Sequence, residues 1–227
     1  MVVGDGMLAT AFLQAGAENW PHIIFASGVS NSLETDPAQF QTEKDLLLSY
    51  KDTELTLVYF STVSIFDLSL AKSPYILHKL EIEKLIEQNF KRYLILRLPI
   101  VVGKSSNPHT LTNFLYQSIV HDRPFKVYQN ATRYLLDLED VVKLVALLVR
   151  KSISNLKLDL VLDNKMAVTA IIDIFVSITG KKGNFERIPE GSDYTIDNSQ
   201  AKAIIGKEHF HLNEPDYNLS LLRKYYN

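Results

Sequence analysis

Two textures alternate along this chain: short runs that are apolar throughout, and longer segments whose apolar positions recur three and four residues apart. "HIIFASG" (22–28), "ELTLVYFST" (54–62), "YLILRLPIVVG" (93–103, broken at Pro99) and "LKLDLVLD" (156–163) are of the first kind. Rich in β-branched, aromatic and leucine residues and bounded by turn formers, they predict buried strands. The second kind predicts helices. "TDPAQFQTEKDLLLSY" (35–50) has an N-cap in Thr35 or Asp36, a proline in its first turn and apolar positions at Phe40, Leu46 and Leu47. "SPYILHKLEIEKLIEQNF" (73–90) starts with Pro74, and further helices are expected over 109–120, 140–153, 168–180 and 199–206, the last two stopped by glycine.

Strands that are apolar on both sides, alternating with helices through short connections, predict an α/β fold with a parallel sheet covered on both faces. The opening "MVVGDGMLATAFLQAG" adds a short apolar stub, a glycine turn and helical spacing. Strand signals thin out after residues 155 to 165, which divides the chain into a main domain over 1–155 and a small lobe over 156–227.

Composition narrows the function classes. The 227 residues carry a formal net charge of −2, which gives no electrostatic reason to expect a nucleic acid polymer or an anionic membrane as partner. There is no cysteine, so disulfides, thiolate metal sites and a cysteine nucleophile are excluded. The six histidines form no metal-binding pair; His209 and His211 read as exposed, and no metal is expected. No apolar run is long enough to span a bilayer and no leader pattern opens the chain, so a cytoplasmic protein is expected.

Three features carry candidate chemistry. Gly4 and Gly6, followed by Met7, Leu8 and Ala9, lie between the stub and a helix. Glycines there let the backbone approach a pyrophosphate at a helix N-terminus, although two glycines at a turn are common and no strand ends in the acidic residue that holds an adenosine ribose. Tyr75 and Lys79 are four apart, on one helix face. An ammonium beside a phenol favours the phenolate and makes a usable acid or base; the plain alternative is a half-buried tyrosine beside a surface lysine. Thr62 ends the strand before that helix, where hydroxyls at the carboxyl edge of a parallel sheet face the ligand crevice.

Taken in order, "VVGDGMLA", "IIFASGVSN", "VYFSTVSIFD", "SPYILHK", "LRLPIVVG" and "RYLLDLEDVVK" resemble the extended short-chain dehydrogenase/reductases, specifically the nucleotide-sugar epimerases, dehydratases and reductases. The series spans about residues 1 to 145. The resemblance implies a Rossmann-type doubly wound sheet with a small sugar-nucleotide lobe, NADP or NAD as cofactor, a nucleotide sugar as substrate and a homodimer. It implies a catalytic trio of Thr62, Tyr75 and Lys79, with Lys79 also holding the nicotinamide ribose and keeping the Tyr75 pKa low. Gly4, Gly6, Met7, Leu8, Ala26, Ser27, Gly28 and Pro99 would line the cofactor. Arg133 would contact the substrate diphosphate, unless it pairs with Asp137, Glu139 or Asp140, and Asp140 would close its turn. Asn113 would hydrogen-bond the sugar or phosphate, unless it is a solvated helix residue.

The chain also departs from the resemblance. Only one helix fits between the glycine turn and "IIFASG", so the second and third strands of the family sheet are absent, and with them the residue that separates NAD from NADP. "IFD" replaces the commoner "VYG", while Asp137 and Ile100 stand where histidine and asparagine are frequent. The expected activity is reduction of a keto group on a nucleotide-activated sugar, for deoxysugar or cell-surface polysaccharide synthesis. An epimerase with tightly held NAD and a non-catalytic sugar-nucleotide binder are the alternatives.

Overall fold

The computed structural model of the chain describes residues 1–105, 107–206 and 216–227. His209 and His211 lie outside the described residues. Five parallel strands, β1 (Val2–Val3), β2 (His22–Phe25), β3 (Thr56–Thr62), β4 (Tyr93–Leu98) and β9 (Leu156–Asp159), lie in that order. Their side chains alternate between faces, as the two-residue period of a strand requires. Ile24, Val58, Leu94, Leu96 and Leu158 pack under α1 (Met7–Gln14), α5 (Leu138–Arg150) and α7 (Ser199–Ile205). Ile23, Phe25, Leu57, Tyr59 and Ile95 pack under α2 (Pro37–Leu48) and α3 (Pro74–Asn89). This is the expected doubly wound sheet of Rossmann type, in reduced form.

The strands step one way across the sheet, yet α1 lies on the opposite layer from α2. The β1–α1–β2 and β2–α2–β3 crossovers are therefore of opposite hand, and one is the rare left-handed kind. If two more strands stood outside β1, α1 could lead to them with the ordinary hand. β1 is instead the sheet edge, which agrees with the two absent strands.

The division at 155/156 needs correction. β9 lies beyond it but is the fifth strand of the sheet, paired with β4 over Leu94↔Leu156 to Arg97↔Asp159. The second layer of structure is interleaved rather than C-terminal. β5 (Ile100–Val102) pairs with β8 (Leu135–Asp137), β6 (Phe125–Tyr128) with β11 (Phe185–Ile188), and β7 (Thr132–Arg133) with β10 (Met166–Ala167). A second core gathers Leu115, Ile119, Val127, Ile171, Phe175 and Leu222 from α4 (Leu111–Val120), β6, α6 (Val168–Thr179) and α8 (Tyr217–Tyr226). Strands of two to four residues carry too little pattern to stand out in sequence.

Candidate functional site

The carboxyl ends of β2 and β3 form the crevice. β2 stops at Phe25, opposite Tyr59, while β3 continues for three residues paired only to β4, ending Thr62↔Leu98. Thr62 thus projects beyond its neighbour. Its hydroxyl accepts a hydrogen bond from Ser64 N at 3.0 Å and caps the short turn of helix over 63–66. α3 then starts on its own cap, with Ser73 Oγ accepting from Ile76 N at 3.2 Å and Pro74 in the first turn. That start sets Tyr75 beside Thr62, each 8% exposed. Burial pushes the Tyr75 phenol up to about 12, against the Thr62 hydroxyl, which favours ionisation, and with the Glu43 charge, which opposes it.

Lys79 departs from expectation. Its ammonium is buried, 2.9 Å from Tyr59 OH and 3.3 Å from Glu43 Oε1. It lies 5.9 Å from the centre of the Tyr75 ring, so the two do share a helix face. Yet the charge is spent on Glu43 and does not lower the Tyr75 pKa. Two of the three ammonium donors are thereby engaged. Burial pulls Lys79 itself down, while Glu43 and Glu83 pull it up.

Glu43, which the sequence reading missed, stands at the centre of these contacts. It is 3% exposed on α2 and accepts from Val29 N and Tyr59 OH at 2.7 Å, with His78 Nε2 at 2.8 Å. Among the described residues His78 Nδ1 has no hydrogen-bond partner, and the ring stacks on Phe40; Nε2 faces a carboxylate, which accepts, and so carries the proton between them. These partners and the Lys79 charge outweigh burial and hold the Glu43 carboxyl down at about 2. A signal existed: position 43 falls in the Phe40–Leu47 apolar stripe, where a carboxylate needs a partner. On α3, one turn beyond Lys79, Glu83 is also buried, bound by Arg97, Ser61 Oγ and Lys157.

The glycine turn fits a diphosphate. Gly4 has φ +116° and its α-carbon abuts Ala26, so that a side-chain carbon there would lie 2.5 Å from Ala26 O. This contact holds the end of β1 against Ala26 and Ser27, at the end of β2. Gly6 faces open space and precedes α1 without a side-chain cap, leaving amides at a positive helix end. Met7 and Leu8, the first residues of α1, are half-buried. Gly28 is needed for a different reason: a side-chain carbon there would lie 2.8 Å from Lys79 Nζ and 2.9 Å from Glu43 Oε1. Pro99 is buried between β4 and β5.

The substrate-side residues are only partly where expected. Arg133 pairs not with Asp137, Glu139 or Asp140 but with Asp67, at 3.6 Å, and its Nη1 donates to Thr132 O. Asp137, not Asp140, closes its turn: it caps α5 through Glu139 N and binds Lys224 and Tyr225 from α8. Asn113 is neither solvated nor free. Its amide donates to Ser105 O and Asn107 O, and its oxygen accepts from Tyr226 OH. It therefore braces one wall of a cleft of about 750 Å³ that Lys104, Arg123, Tyr116 and Tyr225 also line. Gly103 joins this cleft to the glycine turn, since a side-chain carbon there would lie 3.0 Å from Met7 Sδ.

Among the described residues no cluster of His, Asp or Glu could hold a metal ion, and no helix is long and apolar enough to cross a membrane. No family model and no curated protein matches the chain. Solved structures do. A UDP-glucuronic acid 4-epimerase from Bacillus cereus, in complex with UDP-glucuronic acid and NAD, superposes with a TM-score of 0.73 at 18% identity, over 94% of this chain and 77% of its own. A UDP-glucose 4-epimerase from Thermus thermophilus, in complex with NAD, gives 0.69 at 15% identity over 96% and 81%. RMD from Pseudomonas aeruginosa, complexed with NADPH, gives 0.66 at 15% identity over 90% and 80%. At these identities the likeness is one of fold.

Proposed function

We propose that this chain reduces a keto carbon of a nucleotide-activated sugar with a nicotinamide cofactor. The observation that carries this reading is the approach of the Tyr75 phenol to the Thr62 hydroxyl at the carboxyl end of β3. Burial keeps the phenol protonated to about pH 12. Tyr75 is therefore supplied with the proton that a carbonyl oxygen needs as it becomes an alcohol. Thr62 would hydrogen-bond the same oxygen and stabilise charge as it develops. When bound, the nicotinamide supplies the hydride. Gly4, Gly6 and the amides opening α1 would hold its diphosphate, beside Ala26, Ser27 and Pro99.

On the substrate side, Lys104 and Arg123 suit a diphosphate and the cleft tyrosines suit the flat face of a base. Arg133, released from Asp67, would add a third cation. The neighbouring folds are named as enzymes of UDP-sugars with NAD, or as complexed with NADPH, which agrees with this class. An epimerase must use its tyrosine as base as well as acid. The high Tyr75 pKa and the pairing of Lys79 with Glu43 favour the reductive direction.

The test is titration of NADPH and NADH into the folded protein, followed by dihydronicotinamide fluorescence. Saturable binding of either, weakened by Gly6→Ala, is expected, and the stronger of the two reveals the cofactor preference. Absence of binding at millimolar cofactor would overturn the reading in favour of a non-catalytic binder.

A further inference from the structure

We propose that Glu43 is a positioning residue of the Tyr75 site: it draws the Lys79 ammonium onto Tyr59 and the turn at Gly28–Val29, and so sets Tyr75 as a proton donor rather than a base. The inference deepens the reductase reading and rests on it for its functional meaning.

The geometry is a closed cluster drawn from four elements. From α2, the Glu43 carboxylate meets Lys79 and His78 of α3, Tyr59 of β3 and the amide of Val29 after β2. Lys79 also donates to Tyr59 OH. Gly28 leaves the space this cluster fills, with both Lys79 Nζ and Glu43 Oε1 under 3 Å from where its side chain would begin. A lysine so enclosed cannot rotate toward the crevice without leaving the buried Glu43 carboxylate only its neutral hydrogen-bond donors, which is unfavourable. The ionisable groups around Tyr75 are Lys79, Tyr59 and Glu43, with His78 against Glu43 and, one turn beyond Lys79 on α3, Glu83 acting on Lys79. Glu83 is held by Arg97, Lys157 and Ser61. The positive charge nearest Tyr75 is thereby matched by a negative one. Glu43 also ties α2 to the catalytic helix, so displacement of α2 would change the charge that Tyr75 experiences.

The test is spectroscopic and needs neither cofactor nor substrate, so it fails or succeeds separately from cofactor binding. Tyrosinate absorbance is titrated in the wild type, Glu43→Gln and their Tyr75→Phe counterparts, and the difference within each pair isolates Tyr75. The wild-type transition is expected near pH 12. In Glu43→Gln it is expected at a proton concentration at least tenfold higher. An unmoved transition would overturn the proposal. If Glu43→Gln does not fold, the same comparison is made between Lys79→Met and Lys79→Met/Glu43→Gln, the second of which leaves neither charge of the pair buried. An earlier Tyr75 transition in the double variant supports the proposal, and coincident transitions overturn it.

Discussion

The guanidinium of Arg133 stands 3.6 Å from the buried carboxylate of Asp67. Arg133 comes from β7, in the interleaved layer, and Asp67 from the turn after β3, so the pair spans the two halves of the site. Asp67 also accepts from Ser69 N at 3.0 Å and caps the helical turn over 68–70. Under the proposed function, Arg133→Ala is expected to weaken binding of a nucleoside diphosphate by roughly tenfold or more, measured by calorimetry, through loss of a charged contact to phosphate. Because Arg133 is partly exposed, its removal should cost about 1 kcal/mol of stability or less. Asp67→Ala should cost more, about 1–2 kcal/mol, through the lost cap.

Acid should find Glu43. Folding lowers its carboxyl from 4.5 to about 2, so the unfolded chain binds this proton more readily than the folded one. The resulting stability is complete above pH 4.5 and is lost as pH falls toward 2. Glu83 is lowered as well and acts in the same direction. Lys79, lowered by burial, works in the opposite sense, against stability. Urea unfolding should show a midpoint that drops steeply below pH 4.5. Glu43→Gln should flatten that slope and cost on the order of a few kcal/mol at neutral pH, since Lys79 is left buried without its partner.

The glycines of the crevice should separate stability from binding. Gly4→Ala meets both a positive φ and a backbone oxygen at 2.5 Å, and should be the most damaging of the set. Gly28→Ala presses on Lys79 and Glu43 without backbone strain, an overpacking of about 1–3 kcal/mol. Gly6→Ala meets nothing within 4 Å. It should melt within a few degrees of wild type and yet bind NADPH at least tenfold more weakly, because the added methyl group stands where a diphosphate would approach. Thermal unfolding and fluorescence titration distinguish the three.

Tyr75→Phe removes the proton donor while keeping the ring that is buried beside Lys79. Turnover with a keto-sugar nucleotide is expected to fall about 10²- to 10⁴-fold, with cofactor affinity nearly unchanged. Thr62→Val should lower turnover less, and should also cost about 1 kcal/mol through its lost cap at Ser64. Equal turnover by Tyr75→Phe and wild type would remove Tyr75 from the chemistry.

Much of the architecture was legible in the residues. The apolar runs of β2, β3 and β4 stood out because strands buried on both faces have no polar positions to dilute the signal. Asp36 and Ser73, each followed by proline, start α2 and α3 by local rules that act within one turn. The boundary at 155/156 was misplaced because "LKLDLVLD" sits after the composition shift, although β9 pairs with β4, whose Arg97 lies 62 residues before Asp159. The pairings β5–β8, β6–β11 and β7–β10 join segments too short and too distant to reveal one another.

By itself the sequence determined the layering, the glycine turn, the helix starts and the placing of Thr62, Tyr75 and Lys79 at one end of the sheet. These follow from periodicity and near-neighbour geometry, which a chain carries locally. Only the tertiary structure decided what those side chains touch. Lys79 finds Glu43, 36 residues away, Arg133 finds Asp67, and Asn113 finds Tyr226, 113 residues away. The energy of a charged or amide group depends on its partners and on the water it has lost. Neither quantity exists until distant segments meet, and for that reason the state of Tyr75 could not be read from its spacing to Lys79.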